Sequence, residues 1–274
     1  PPVDAALRRV YEAGPDPGAA VSLRFVLLGP PGSGKGTLAS QLQESLGLEH
    51  LSTGEIFRHE VKRKTALGRQ VERYVSNGQL VPDDLVVAVM TKRLTPARRR
   101  KGFMLDGFPR TVAQAQGLDT FLRQHGTSLT GVIALTCPAA RLIVRLSGRQ
   151  VCGTCDAIYH VRRMPPTRKG VCDRCGAALT VRKDAQIDTI RKRLRVDRTE
   201  SAPLMAYYRR SKLLHRVDGR GTSEQALAKT MALLRREGWV RPGPQGRPIA
   251  EARVSAHQDG SVNGASRSFG RRGG

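Results

Sequence analysis

The sequence predicts an α/β fold, a mostly parallel sheet covered on both faces by helices, carrying two small inserts. Three observations lead there. A short apolar run, Leu23 to Leu28, passes through a glycine-rich turn into a helical pattern, Leu38 to Leu46. Further short strands, Gly102 to Asp106, Gly131 to Thr136 and Leu213 to Val217, alternate with helical stretches, as parallel strands joined by helical crossovers must. Between 150 and 185 the alternation breaks and two Cys-x-x-Cys pairs take its place.

Taken in order, residues 1–21 include Gly14-Pro15-Asp16-Pro17-Gly18 and read as an N-terminal extension, a short helical piece and a linker. The apolar continuity of Leu23 to Leu28 marks a strand buried on both faces. The turn that follows is Gly29-Pro30-Pro31-Gly32-Ser33-Gly34-Lys35-Gly36-Thr37. Its glycines let backbone N–H groups converge on one anion, and the next helix adds the positive end of its dipole. Lys35 supplies a mobile charge for the outer phosphates of a nucleotide, so the fold is P-loop NTPase-like. Most such loops place Ser or Thr directly after the lysine to ligate Mg²⁺. Here that position is Gly36 and the hydroxyl follows at Thr37, so the metal is expected to be held through waters.

A short strand is expected at His50-Leu51, with Ser52 or Thr53 capping a helix that continues from Ile56. Asn77-Gly78 is a turn, and Val81-Pro82-Asp83-Asp84 starts another helix, its acids complementing the dipole. The cluster Arg98-Arg99-Arg100-Lys101 reads as a solvated helix end and loop. Asp106 ends a strand at the turn Gly107-Phe108-Pro109-Arg110, and the carboxyl ends of parallel strands are where ligands bind. Arg141 to Leu146 is helical. From Ala185 to Lys212 the pattern is one long or broken helix with Ile187, Ile190 and Leu194 on one face and a restart at Pro203; Thr222 to Arg236 closes the fold, with Thr222 or Ser223 as cap. Residues 237–274 form a basic tail, and from 241 it is rich in Gly, Pro, Ser and Arg without apolar periodicity, a composition of disorder.

In the insert, Cys152-x-x-Cys155 and Cys172-x-x-Cys175 have the spacing of a four-thiolate zinc site. Four protein ligands leave no open position for catalysis, so the metal is a staple for an insert too small to own a core. Iron accepts the same four sulfurs. His160 is expected at the surface, and Cys137 as a small buried residue. Metal-holding cysteines also point to a reducing, cytoplasmic setting; residues 1–20 lack an apolar signal core, which leaves open a targeting segment upstream of Pro1.

The chain has 274 residues and a net charge of +24, from 47 basic and 23 acidic side chains. Residues 1–22 carry −1 and residues 237–274 carry +3, so the excess lies in the body. A phosphate site that needs several arginines, together with an Arg-rich coding composition, accounts for it; binding of a polyanion such as RNA is the competing explanation. No apolar run reaches the roughly 18 residues that span a bilayer.

The order of motifs resembles that of adenylate kinases from Leu23 to Arg236, in the long-lid form with a zinc-bearing lid. The matching pieces are the Gly-Pro-Pro-Gly-Ser-Gly-Lys-Gly-Thr loop, Leu51-Ser52-Thr53-Gly54-Glu55 with Arg58, Gly78-Gln79-Leu80-Val81-Pro82-Asp83-Asp84, Asp106-Gly107-Phe108-Pro109-Arg110-Thr111 with Gln114, Arg145 with Arg149, Arg182-Lys183-Asp184, and Arg191-Lys192-Arg193. The resemblance implies a core over 22–236 with an acceptor-binding insert at 52–81 and a mobile lid at 149–186. It implies reversible phosphoryl transfer from ATP to AMP with Mg²⁺ in a monomer. Gly32, Ser33, Gly34, Lys35, Gly36 and Thr37 would hold the donor's phosphates, with Arg145 and Arg149 against the donor nucleotide. Arg58 and Arg110 would grip the acceptor's phosphate, and Thr53, Gln114 and the backbone near Gln79 and Val81 would place its adenine. Arg182 and Arg193 would close over the moving group, and Asp106 would orient waters on Mg²⁺. The chain departs from the family at Glu55, where Asp is common, and at Ala185, which replaces the second acid of a usual pair. Another donor such as GTP, another acceptor such as UMP or CMP, or a nucleic-acid-binding role on the same fold are the alternatives.

Overall fold

The computed structural model describes residues 22–155, 157–162, 164–181 and 185–240. Among these, eight strands form two sheets: β1 (Arg24–Leu28), β2 (Glu49–Ser52), β3 (Phe103–Asp106), β4 (Gly131–Thr136), β5 (Arg149–Cys152), β6 (Ile158–His160), β7 (Leu179–Val181) and β8 (Leu214–Asp218). The main sheet has the order β2-β3-β1-β4-β8, and every pairing in it is parallel. The small sheet is antiparallel, ordered β6-β5-β7, and lies in the cysteine insert. The helices among the described residues are α1 (Lys35–Leu46), α2 (Thr53–Lys62), α3 (Ala66–Asn77), α4 (Asp83–Arg93), α5 (Pro96–Lys101), α6 (Val112–Gln124), α7 (Ala139–Ser147), α8 (Ile187–Arg210) and α9 (Ser223–Arg236).

Successive side chains of a strand point to opposite faces, and in β1 both sets are buried. Phe25 and Leu27 pack with Leu38 and Leu42 of α1 and Leu234 of α9. Val26 and Leu28 pack on the other side with Met90 of α4, Leu118 of α6, and Leu204 and Tyr208 of α8. Helices on both faces explain why the strands read as unbroken apolar runs rather than alternating ones. The helix starts are fixed locally. The Ser52 hydroxyl accepts from the Glu55 N–H, Thr111 accepts from Gln114, and Thr222 and Gln225 form a reciprocal capping box. Pro82 sits at the cap of α4 with Asp83 and Asp84 in its first turn, as expected.

Several expectations need correction. The helical run from Ile56 is two helices, because Lys64 adopts a left-handed φ of 50° and Thr65 caps a fresh start by accepting from the Gly68 N–H. Pro203 does not restart a helix; α8 runs through it for 24 residues. Pro203 is exposed, so water can take the carbonyl it leaves unpaired, while Ile190, Leu204 and Tyr208 keep one buried face on both sides of it. Of the three apolar residues placed on that face, Ile190 is buried, Leu194 half-buried and Ile187 exposed. His160 is not a surface residue: its Nε2 lies 3.0 Å from the Val144 carbonyl and its Nδ1 accepts from the Arg162 N–H at 3.1 Å, so the buried ring ties β6 to α7. Cys137 is half-buried rather than buried, at the end of β4. The N-terminal extension, the tail from 241 onward and the Arg182-Lys183-Asp184 motif lie outside the described residues.

One buried carboxyl joins α6 to α8. Asp119 is 5% exposed and accepts from the Tyr207 hydroxyl at 2.7 Å, while its Oδ1 has no partner among the described residues. Burial raises its pKa to about 6 from 3.8, against the Tyr207 bond and Arg123. The native state therefore holds this proton more tightly than the unfolded chain. Its stabilising contribution is complete below about pH 4 and is lost as the pH rises through about 6. Asp119→Asn keeps an acceptor for Tyr207 and removes the titration. Denaturant melts should show the variant gaining on the wild type by about 2 kcal/mol between pH 4 and 7; a gap that does not change with pH would contradict this.

Candidate active site

The phosphate-binding turn lies between the carboxyl end of β1 and the start of α1, as its sequence demands. Gly29 has φ +135° and a side chain there would meet the Leu135 carbonyl oxygen at 2.5 Å; Gly34, with φ +102°, caps α1 without a side-chain bond. The first N–H groups of α1 thus have no acceptor within their own helix and face an anion's position. Ser33 is 3% exposed and its hydroxyl has no hydrogen-bond partner among the described residues. A buried hydroxyl without a partner at the tip of such a loop fits a bound phosphate. Lys35 turns back over the loop, its Nζ donating to the Gly29 carbonyl at 2.5 Å and the Pro30 carbonyl at 3.1 Å.

This turn forms one wall of a cavity of about 830 Å³ at the carboxyl ends of the strands. Lys35, Arg58, Arg110, Arg145, Arg149 and Arg193 all line it, together with Asp106. Each is set by a different element. Arg110 follows a cis Phe108–Pro109 bond; its Nε donates to the Gly107 carbonyl at 3.0 Å. Arg145 on α7 donates to the Ser33 carbonyl at 3.4 Å and the Gly221 carbonyl at 3.0 Å, joining the phosphate turn to the turn before α9. The stem of Arg193 on α8 lies over Gly78, where an added side-chain carbon would come within 2.6 Å of it. Lys62 of α2 donates to the Gly153 carbonyl at 2.7 Å, so the 52–81 segment and the cysteine insert touch.

Burial lowers the Lys35 pKa, opposed by the nearby carboxylates of Asp106 and Asp197. Asp106 is itself held below the usual carboxylate range: burial pushes it up, but His50, Lys35 and Arg110 outweigh that. His50 is the partner that sequence reasoning missed. Its Nε2 stands 3.6 Å from Asp106 Oδ2, and although burial opposes protonation, Asp106 draws its pKa upward. Only the pairing of β2 with β3, which sets Ser52 opposite Asp106 and His50 beside Met104, reveals that neighbour. Asp197 is the second omission, on the cavity wall one helical turn beyond Arg193.

Four residues expected to place an adenine do not line the cavity. Thr53 is buried and donates to the Gly107 carbonyl at 2.8 Å. Gln114 is buried, accepting from the Arg110 N–H at 2.8 Å and donating to Asp83 Oδ1 at 2.7 Å, while Thr111 donates to Asp83 Oδ2 at 2.8 Å. Val81 is buried and Gln79 exposed. On that side the lining is Ser52, Gly54, Glu55, Arg58, Gly78 and Leu80.

In the insert the four cysteine sulfurs lie within 4.8 Å of one another, with Cys152–Cys175 at 3.4 Å and Cys155–Cys172 at 3.5 Å. A tetrahedral Zn–S bond of about 2.3 Å sets sulfurs roughly 3.8 Å apart, so the cage has the size of such a site. Its surroundings favour thiolates. The Thr154 N–H points at Cys152, and the Cys172 thiol falls to about 6 because the Tyr159 hydroxyl and backbone N–H groups outweigh burial. Cys175 is pushed up to about 12 by the neighbouring sulfurs, against the Ala177 N–H. Four sulfurs this close cannot all ionise without a cation among them, and the cage is shaped to hold one.

Comparison with known proteins agrees with this geometry. The family model described as adenylate kinase matches residues 27–213. The adenylate kinase of Moorella thermoacetica is 49% identical over 197 residues, 72% of this chain and 91% of its own length. That of Carboxydothermus hydrogenoformans is 43% identical over 206 residues, 75% of this chain and 96% of its own. That of Methanocella arvoryzae is 43% identical over 214 residues, covering 78% of this chain and 99% of its own length. On a match of this extent, the chain belongs to the adenylate kinase family of nucleoside monophosphate kinases.

Proposed function

We propose that this chain catalyses reversible, Mg²⁺-dependent transfer of the terminal phosphoryl group of ATP to AMP, giving two ADP. The observation that carries this reading is the convergence of Lys35 and five arginines from separate elements on one cavity that begins at a phosphate-binding turn. Phosphoryl transfer asks a protein to align two phosphates and spread the charge of the moving group, with little covalent work. An AMP phosphate oxygen is already an anion, so no strong general base is needed. Arginine suits the task because its fork binds two oxygens and stays charged.

In this reading Lys35, Ser33 and the N–H groups of residues 32–37 hold the donor's phosphates. Arg145 and Arg149 lie along the donor, and Arg58 and Arg110 hold the acceptor's phosphate. Arg193, with Arg182, closes over the transferred group. Gln114 acts through its bonds, fixing the Arg110 backbone and the Asp83 carboxylate; Thr53 holds the Gly107 turn. Mg²⁺ bound to ATP supplies charge neutralisation on the phosphates, and Asp106, held ionised, is the carboxylate that would orient its water ligands. The Lys62 contact with the insert supports a lid that closes and excludes water, the competing acceptor. The four cysteines would hold a structural Zn²⁺. A monomer in the cytoplasm is the simplest setting. Among the described residues no helix is long and apolar enough to cross a membrane.

The acceptor is tested by supplying AMP, UMP, CMP or GMP with MgATP or MgGTP and measuring nucleoside diphosphate formation. Turnover with AMP at least about 100-fold above the other acceptors is expected, since unmatched buried polar groups discriminate strongly. Equal rates with a pyrimidine monophosphate would overturn the assignment of AMP.

A further inference from the structure

Helix α8 presents Arg193, Asp197, Ser201 and Leu204 to the cavity, spaced so that one face of the helix forms the wall. Leu204 continues into the core, and Arg193 packs over Gly78. Asp197 is the anomaly in this row. A carboxylate stands on the wall of a cavity built to receive phosphates, and the structure shows no hydrogen bond or close ion pair to it among the described residues. Burial raises its pKa, opposed by the charges of Lys35 from α1, Arg110 from the turn after β3, and Arg193 from its own helix. Lys35 feels Asp106 and Asp197 together, and all three line the same cavity. Asp106 is accounted for by His50 and by the expected metal waters; Asp197 has no such role.

We propose that Asp197 is a positioning residue that offsets part of the charge of Lys35, Arg110 and Arg193, thereby limiting how tightly the site holds nucleotide phosphates. The inference rests on the reading of the cavity as a nucleotide site. A reversible kinase must release what it has phosphorylated, and interactions equally strong before and at the transition state slow release without speeding chemistry. One negative charge beside three cations lowers that uniform attraction. It also lets the three cations sit close together before any phosphate arrives. The effect is Coulombic, so it weakens with salt.

The test measures binding and turnover side by side. Titration calorimetry of the full chain with MgATP and with AMP gives Kd, and ADP formation gives kcat and KM, for wild type, Asp197→Asn and Asp197→Glu. Asp197→Asn is expected to tighten phosphate binding, lowering Kd and KM about fivefold at low ionic strength, with the gap closing at high salt. Asp197→Glu, which keeps the charge, should not show this gain in affinity. A gain in affinity is a result that mere damage to the fold does not produce. Unchanged or weaker binding by Asp197→Asn, in a wild type that binds and turns over nucleotides, overturns this inference alone. A wild type that binds neither nucleotide overturns the functional reading beneath it.

Discussion

Lys35→Ala is expected to lower kcat/KM for ADP formation by about 10³-fold, the scale of losing a charge that stabilises a transferring phosphoryl group. Lys35 is the one cation in the sequence of the loop itself, at the start of α1. In the structure its Nζ rests on the Gly29 and Pro30 carbonyls, 2.5 and 3.1 Å away, so it is already anchored over the turn. Burial lowers its pKa, yet Asp106 and Asp197 favour its charged form. Removing it would take away a donor to the phosphates and leave Arg110 as the counter-charge that both acids still share, which compounds the loss. Circular dichroism and thermal melting should show a folded protein, because Lys35 contributes nothing to either apolar core. Lys35→Arg should recover little, since a planar fork cannot take the place of a compact ammonium in this turn. Activity of Lys35→Ala within tenfold of wild type would contradict the role.

The second large effect is expected from removing the zinc that the four cysteines would hold. The insert's own apolar cluster consists of Cys152, Ala157, Tyr159 and Cys172 with a few half-buried neighbours, too little to hold three short strands together. A bound cation both neutralises the thiolates and fixes the loops, and such binding energy is folding energy for a small insert. Chelation, or Cys172→Ser with Cys175→Ser, should unfold the insert while the main sheet persists. Limited proteolysis would then cut first between residues 149 and 186. Arg149 begins β5, and the His160 ring that ties β6 to α7 goes with it, so activity should fall by about 100-fold through misplacement alone. Metal analysis of the purified protein should return one Zn²⁺ per chain. Iron instead of zinc would change the metal but keep the staple; no metal with full activity would refute it.

How much of this was legible in the residues depends on the range of the forces involved. The buried strands, the phosphate turn, the Asn77-Gly78 turn and the cap at Thr222 are decided by neighbours in sequence, and each lies where its local chemistry puts it. The cage of four sulfurs follows from two local knuckles. What failed was decided across space. Pro203 looked like a break because the cost of a missing N–H is local, whereas the buried face that carries α8 through it is tertiary. His160 looked exposed because nothing nearby announces the Val144 carbonyl that its ring reaches. The bonds of Gln114 to Asp83 and of Thr53 to Gly107 were not legible either, since the fold alone brings those partners close. Asp197 was the one omission with a local signal, since it follows Arg193 by four residues on the same helix.

Reversible exchange of a phosphoryl group between two adenine nucleotides is read out by incubation with ADP as the sole nucleotide. Purified protein with Mg²⁺ and ADP, followed by chromatography or phosphorus NMR, should form ATP and AMP in equal amounts without release of inorganic phosphate. Lys35→Ala should form neither at a comparable rate. ADP that stays unchanged in a folded, metal-loaded protein, or that decays to AMP and phosphate without ATP, would contradict the account.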